Sequence, residues 1–343
     1  MNRFRLIQGL TLYLILATGL QACGQNTASK EPPQSLEDIY RMASQSGNIR
    51  SFLVSRHGEL ISEKYFRSYD RDSLDHLRSA TKTIMATLIG IAVDRGMISS
   101  VDDPISNYIS EVPDDKQSIR IKHLLNMTSG FKWSEGTGYN DHNKMIDSGN
   151  PLEYMLGLPM VARPGSKWNY SSGDIHMLSV VLSNASDMST EQFARKYLFD
   201  PLGIHQFKWQ KFGDGYTAGG SRLELKPKDM LRIGQMFAQG GTYNGERIVS
   251  KSYLDISTNV LHVFNAANGV SEGYGYGWWT INLNGDKAAM AMGYGGQMIA
   301  VIPGKGLVIV VTHKWKVNGQ TAGEQENRGE SLAEALWQWS QRG

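Results

Sequence analysis

Cysteine is all but missing from this chain: among 343 residues only Cys23 carries a thiol. No disulfide can form within the monomer, and a thiol nucleophile would have to be that one residue. Excess charge is missing too. The formal net charge is +2, and Arg3 and Arg5 lie in a segment expected to be removed, which leaves 33 basic residues against 33 acidic ones. A neutral mature chain offers no electrostatic case for nucleic acid or an anionic membrane surface. No pair among His57, His76, His123, His142, His176, His205, His262 and His313 is spaced for a helical metal motif, so no metal is expected. The Gly213-Asp214-Gly215 run follows no strand and fits no phosphate loop. No internal repeat is visible. The 41% hydrophobic and 20% charged content is that of a globular protein, long enough for one large domain or two ordinary ones.

The N-terminus reads as a targeting signal over 1–22. Arg3 and Arg5 are followed by an apolar Leu6–Leu20 too short to span a bilayer comfortably. Leu20-Gln21-Ala22-Cys23 resembles a bacterial lipobox, which implies lipidation at Cys23, with plain secretion as the alternative. Residues 23–35, with Pro32-Pro33, read as a tether. The expected location is the bacterial cell envelope, lipid-anchored on the periplasmic side.

The pattern beyond is mixed. A helix is expected over Leu36–Ser46, and strands over Ile49–Ser55 and Glu59–Phe66 around His57-Gly58. Val101–Ile105 reads as the start of a short helix, and Ile121–Gly130 as a helix stopped by its glycine. Phe131–Asn150 reads as a long loop. Helices are expected over Ile175–Asn184, Thr190–Phe199 and Pro227–Ala238, with a glycine turn at Ala218-Gly219-Gly220. After Gly245 the pattern predicts strands at Tyr276–Asn282, Ala288–Met292, Gln297–Ile302 and Leu307–Thr312, then a helix over Ser331–Trp339. Strands near both ends with helices between imply an α+β protein: a sheet part from 36–97 and 240–343, a mainly helical part from 98–239, and a crevice between them.

Three motifs carry chemistry. Ser79 and Lys82, three apart at the start of a run apolar on every side, share a helix face. A desolvated lysine can take the proton of such a serine, although a solvated helix start has the same spacing. Tyr170, in Trp168-Asn169-Tyr170-Ser171-Ser172-Gly173-Asp174, can shuttle a proton or simply pack; Asp174 is placed to buttress the loop. Gly293-Tyr294-Gly295-Gly296-Gln297 can present backbone N–H groups to a carbonyl oxygen or form a bulge or tight turn. Trp133, Tyr139, Trp168, Trp278 and Trp279 are available to line the crevice.

The order Ser-x-x-Lys, Tyr-Ser-x, glycine-rich strand resembles the serine hydrolase superfamily of class C β-lactamases, DD-peptidases and related esterases, from about Ser35 to Trp339. Ile121–Gly130 and Ala218-Gly219-Gly220 resemble recurrent segments of that family. The Tyr170–Asp174 form is similar to the branch of 6-aminohexanoate-dimer hydrolases and esterases. The resemblance implies a β-lactamase-like (DD-peptidase/transpeptidase-like) fold, an antiparallel sheet flanked by helices with an all-helical insert. It also implies an acyl-enzyme on Ser79, Lys82 as base, Tyr170 as proton donor, and an oxyanion hole from the Ser79 N–H with that of Gly296 or Gln297, the substrate lying along Gly295-Gly296-Gln297. No cofactor is implied. Two departures bear on substrate. Ser172 stands where class C enzymes have asparagine, and Gly293 where the third motif opens with lysine or histidine. The missing cation points to a small ester or amide with no obligatory carboxylate there. A penicillin-binding protein, DD-peptidase or weak β-lactamase is the alternative, and a catalytically silent binding lipoprotein the third.

Overall fold

Eight antiparallel strands make one sheet from two distant stretches of chain. Their order across the sheet is Glu59–Tyr65, Ile49–Arg56, Leu307–His313, Gln297–Ile302, Asp286–Gly293, Trp279–Leu283, Val270–Tyr274 and His262–Ala267. The computed structural model describes residues 35–45, 48–136, 138–259, 262–267, 270–283 and 285–341; the targeting segment, Cys23 and almost all of the tether lie outside them.

The central strands are apolar without a break because both faces are covered. In Leu307–His313, Val308 and Val310 face one core, while Leu307, Ile309 and Val311 face the other. Gln297–Ile302 divides in the same way, Ile299 and Val301 against Met298, Ala300 and Ile302, as the two-residue repeat of a strand requires. One face packs under helices Leu36–Ser44 and Gly319–Ser340 through Ile39, Leu332 and Leu336. The other receives helices Thr81–Asp94 and Pro227–Ala238. Gly234 of the latter lies so close that a Cβ would sit 2.3 Å from Val308 Cγ1. That helix therefore packs on the sheet, although a boundary at 239 groups it with the helical part. Helix Ser172–Ser186, buried over its first eleven residues, lies against Thr81–Asp94.

Several expected elements differ. The Phe131–Asn150 stretch holds a helix, Asp141–Asp147, because the Asn140 side chain caps it by accepting from His142 and Asn143 N–H. The turn ending Ile121–Leu125 is made by Met127 at φ 56°, ahead of Gly130. Near Val101–Ile105 only a 3-10 turn, Ile105–Asn107, forms. Helix Lys251–Ser257, capped by Ser250, and strands His262–Ala267 and Val270–Tyr274 were not foreseen. The strand expected from Tyr276 begins at Trp279, since Gly277 at φ 71° breaks the extended run. The last helix starts at Gly319, capped by Asn318, long before its apolar residues begin.

Candidate active site

The serine turn comes first. Leu77 N–H bonds Leu223 O, Ala80 N–H bonds Leu77 O, and Arg78 between them adopts a left-handed φ of 55°. Such backbone costs about 1–3 kcal/mol and persists only where the surroundings impose it. Ser79 therefore sits on a 3-10 turn, Arg78–Ala80, that feeds helix Thr81–Asp94. The twelve residues Thr81–Ala92 of that helix are buried, Lys82 among them at 2% exposure. Lys82 Nζ donates to Ser79 Oγ at 3.0 Å and to Gly220 O at 3.1 Å. The Ala218-Gly219-Gly220 turn delivers that carbonyl by lying on helix Ser172–Ser186. A Cβ at Gly219 would meet Ile175 O at 2.3 Å, so only glycine allows the approach.

Tyr170 arrives from the far side of the cleft. Its ring centroid is 5.0 Å from Lys82 Nζ, and it stacks on Trp279 at 6.0 Å with Trp168 at 6.4 Å. The hydroxyl and amine of one turn and a phenol distant in sequence therefore share one cleft. Of the other aromatics, Trp278 lies in the core against Phe237 at 4.3 Å, Trp133 is buried, and Tyr139 is exposed.

Two carboxylates fix the loop that carries Tyr170. Asp174, fully buried, accepts from Ser129 Oγ and Ser171 Oγ at 2.9 Å each. Burial pushes it up to about 7 against those hydrogen bonds. Glu135 accepts from Ser172 Oγ at 2.6 Å, Ser172 N–H at 2.7 Å and Trp133 Nε1 at 3.2 Å. The hydroxyl that replaces the class C asparagine is thus committed to an acid. Sequence reasoning missed Glu135, since nothing in that polar loop marked one acid out. Both carboxylates lie at the N-terminus of helix Ser172–Ser186, where its dipole favours negative charge.

The glycine-rich motif is a tight turn. Gly296 N–H donates to Gly293 O at 3.1 Å, with Gly295 at φ 79° and Gly296 at φ 82°. Gly295 N–H donates to Glu326 Oε1 at 2.9 Å. Both amides are therefore occupied, which corrects the expectation that Gly296 N–H faces an oxyanion. The Gln297 side chain is buried, donating to Gly295 O and His313 O. Gly293 instead abuts the serine turn: a Cβ there would lie 2.1 Å from Leu77 O and 3.2 Å from Ala80 N. No side chain, cationic or other, fits at 293. Tyr294 is exposed at 39%, its hydroxyl on Val317 O at 3.3 Å.

The field in the cleft is positive on one side. Burial holds His142 down at about 4, with Lys82, Arg78 and Arg222 pressing the same way and Glu135 opposing them. Among the described residues no group of three or more His, Cys, Asp or Glu is placed to hold a metal.

Ser79 and Lys82 thus stand in a Ser-x-x-Lys arrangement at the cleft of an α+β fold. The chain belongs to the beta-lactamase family, whose model matches residues 41–333. It is 22% identical over 288 residues to a 6-aminohexanoate-dimer hydrolase of Paenarthrobacter ureafaciens, covering 77% of this chain and 72% of the relative. Among solved structures it is similar to EstCE1, a hydrolase with promiscuous acyltransferase activity (TM-score 0.71, 16% identity, 88% of this chain and 98% of that one). It is also similar to the octameric penicillin-binding protein homologue from Pyrococcus abyssi (TM-score 0.68, 19% identity, 90% and 78%). The expected α+β, β-lactamase-like fold and the serine hydrolase family are both as read from the sequence.

Proposed function

We propose that this protein hydrolyses a small ester or amide through an acyl-enzyme on Ser79. The observation that carries the reading is Lys82 Nζ at 3.0 Å from Ser79 Oγ with the Tyr170 ring 5.0 Å away. Lys82, as free amine, takes the Ser79 proton while Oγ bonds to the carbonyl carbon. The proton passes through Tyr170 to the leaving oxygen or nitrogen as that bond breaks. Water, deprotonated by the same pair, then attacks the acyl carbon, and Ser79 leaves with the proton. The oxyanion sits between the N–H of Ser79 and an N–H of the glycine-rich turn that abuts it. One such donor is worth about 2.7–4 kcal/mol of barrier. The names of the relatives, a 6-aminohexanoate-dimer hydrolase and a hydrolase with promiscuous acyltransferase activity, support acyl-transfer chemistry of this class.

Para-nitrophenyl acetate should give a burst of nitrophenol and an acetyl mass on the Ser79 peptide. Ser79→Ala should abolish both, and Lys82→Ala should slow the burst by at least about 100-fold. A Ser79→Ala protein that still bursts removes the reading. Stable acylation by a penicillin would move it toward the penicillin-binding alternative, and ligand binding with no turnover of any ester or amide toward the silent lipoprotein.

We also place the protein on the periplasmic face of a bacterial membrane through lipid on Cys23. The positive start, the short apolar segment and Leu20-Gln21-Ala22-Cys23 support this. An alkynyl fatty acid fed to expressing cells should label the protein, and Cys23→Ser should lose the label and leave the membrane fraction. Labelling that survives in Cys23→Ser removes the anchor.

A further inference from the structure

Arg78, the residue before the candidate nucleophile, holds a guanidinium in need of a partner. Its Nε is buried without a hydrogen bond. The groups that act on it electrostatically are the Tyr294 phenol and a second cation, Arg222; no carboxylate is among them. Three acids near the cleft are engaged. Glu135 holds Ser172 and Trp133, Glu326 holds Gly295, and Asp75 holds Arg50 and Thr312. Arg78 lies instead on rings, its Cζ 4.4 Å from the Trp315 centroid and 5.7 Å from that of Tyr294. Aromatic faces orient a guanidinium but leave its in-plane N–H groups free for a planar anion. A charge withdrawn from water with no counterion is costly to fold around, and the usual compensation is an ionic partner that arrives with the ligand.

Position adds the second half. The left-handed φ at Arg78 and its place beside Ser79 tie the guanidinium to the nucleophile, and its Cβ packs where Gly293 has none, at 3.1 Å from a Cβ built there. The cation expected from the opening residue of the third motif has no room at 293. It is supplied from the serine turn.

We propose that Arg78, oriented by Trp315 and Tyr294, forms a carboxylate subsite, and that the substrates are esters or amides that carry a carboxylate near the scissile bond. This rests on Ser79 being the nucleophile, and it reverses the expectation of a substrate with no carboxylate at that spot. Arg222 adds to the positive field without closing on the same rings.

The test compares matched pairs on the full chain. Para-nitrophenyl hydrogen succinate against its methyl ester places the carboxylate on the acyl side. Para-acetoxybenzoate against methyl para-acetoxybenzoate places it on the leaving group. The protein should prefer the carboxylate member of at least one pair in kcat/KM. Arg78→Gln should cut that preference ratio by about 10- to 100-fold, the range of a lost charge-assisted hydrogen bond, and Arg78→Lys should restore part of it. A ratio is unaffected by a general loss of activity. No preference in either pair, or a ratio unmoved in Arg78→Gln, overturns the proposal. If no ester turns over, the catalytic reading fails on its own. Calorimetry on Ser79→Ala then decides the subsite: salt-sensitive benzoate binding, absent with benzamide and absent in Ser79→Ala/Arg78→Gln, supports it, and equal heats overturn it.

Discussion

Gly293 shows how much of this site rests on one absent side chain. The hairpin reaches the serine turn only because nothing projects from residue 293, where a Cβ would sit 2.1 Å from the Leu77 carbonyl. That oxygen belongs to backbone, so Gly293→Ala cannot be absorbed by a rotamer change. Overpacking of this kind costs typically about 1–3 kcal/mol, and a misplacement of about 1 Å in a reacting group can cost about 100-fold in rate. Gly293→Ala should therefore lower Tm by a few degrees and slow single-turnover acylation by at least about 10-fold. Acylation at the parent rate would show that the turn does not hold the reacting geometry. Lys82 makes the complementary point. With 2% exposure and two acceptors, it is fixed by its surroundings. The Ser-x-x-Lys spacing announces the pair, but the packing of a helix apolar on every side holds the amine against the hydroxyl.

The start of helix Ser172–Ser186 is the element on which the Tyr170 loop depends. Its two acids do different work: Glu135 clamps the polar loop before it, and Asp174 sits inside, away from water. Burial raises Asp174 to about 7. In the unfolded chain an aspartate ionises near about 3.9, so between about pH 4 and about pH 7 the folded state keeps a proton that the unfolded state has lost. The stability from this group is complete below that window and falls as pH rises through it. In Asp174→Asn the titration is gone. The Tm of Asp174→Asn minus that of the parent should rise from about pH 5 to about pH 8. A difference flat or falling across that range would show that Asp174 is ionised throughout. For Glu135→Gln the acceptor for Ser172 N–H survives but its charge does not, so the loop should loosen and KM should rise more than kcat falls. Unchanged KM would mean that the clamp plays no part in holding substrate.

At the scale of the molecule, the sheet is closed by the last helix. Gly319–Ser340 covers one face through Leu332 and Leu336, and its Glu326 also holds the Gly295 amide beneath the substrate turn. Removing residues 319–343 would uncover Met298, Ile309 and Val311, an apolar face that a soluble chain does not leave open. The truncated protein should be insoluble or lack near-ultraviolet dichroism, and a soluble, native-like spectrum would show the helix to be dispensable. The central strands Gln297–Ile302 and Leu307–His313 were legible because two-sided burial writes a nearly unbroken apolar run. The strands His262–Ala267 and Val270–Tyr274 were not, because Asn265, Ser271, Glu272 and Gly273 interrupt the apolar pattern. The sequence by itself determined the serine, the lysine and the tyrosine, since the chemistry needs those residue types in short, recognisable contexts. Tertiary structure alone decided that Glu135 takes the hydroxyl of Ser172, that Glu326 takes the amide of Gly295, and that Arg78 lies on the ring of Trp315. Those are contacts between segments distant along the chain, set by how the sheet and the helices pack, and no local pattern encodes them.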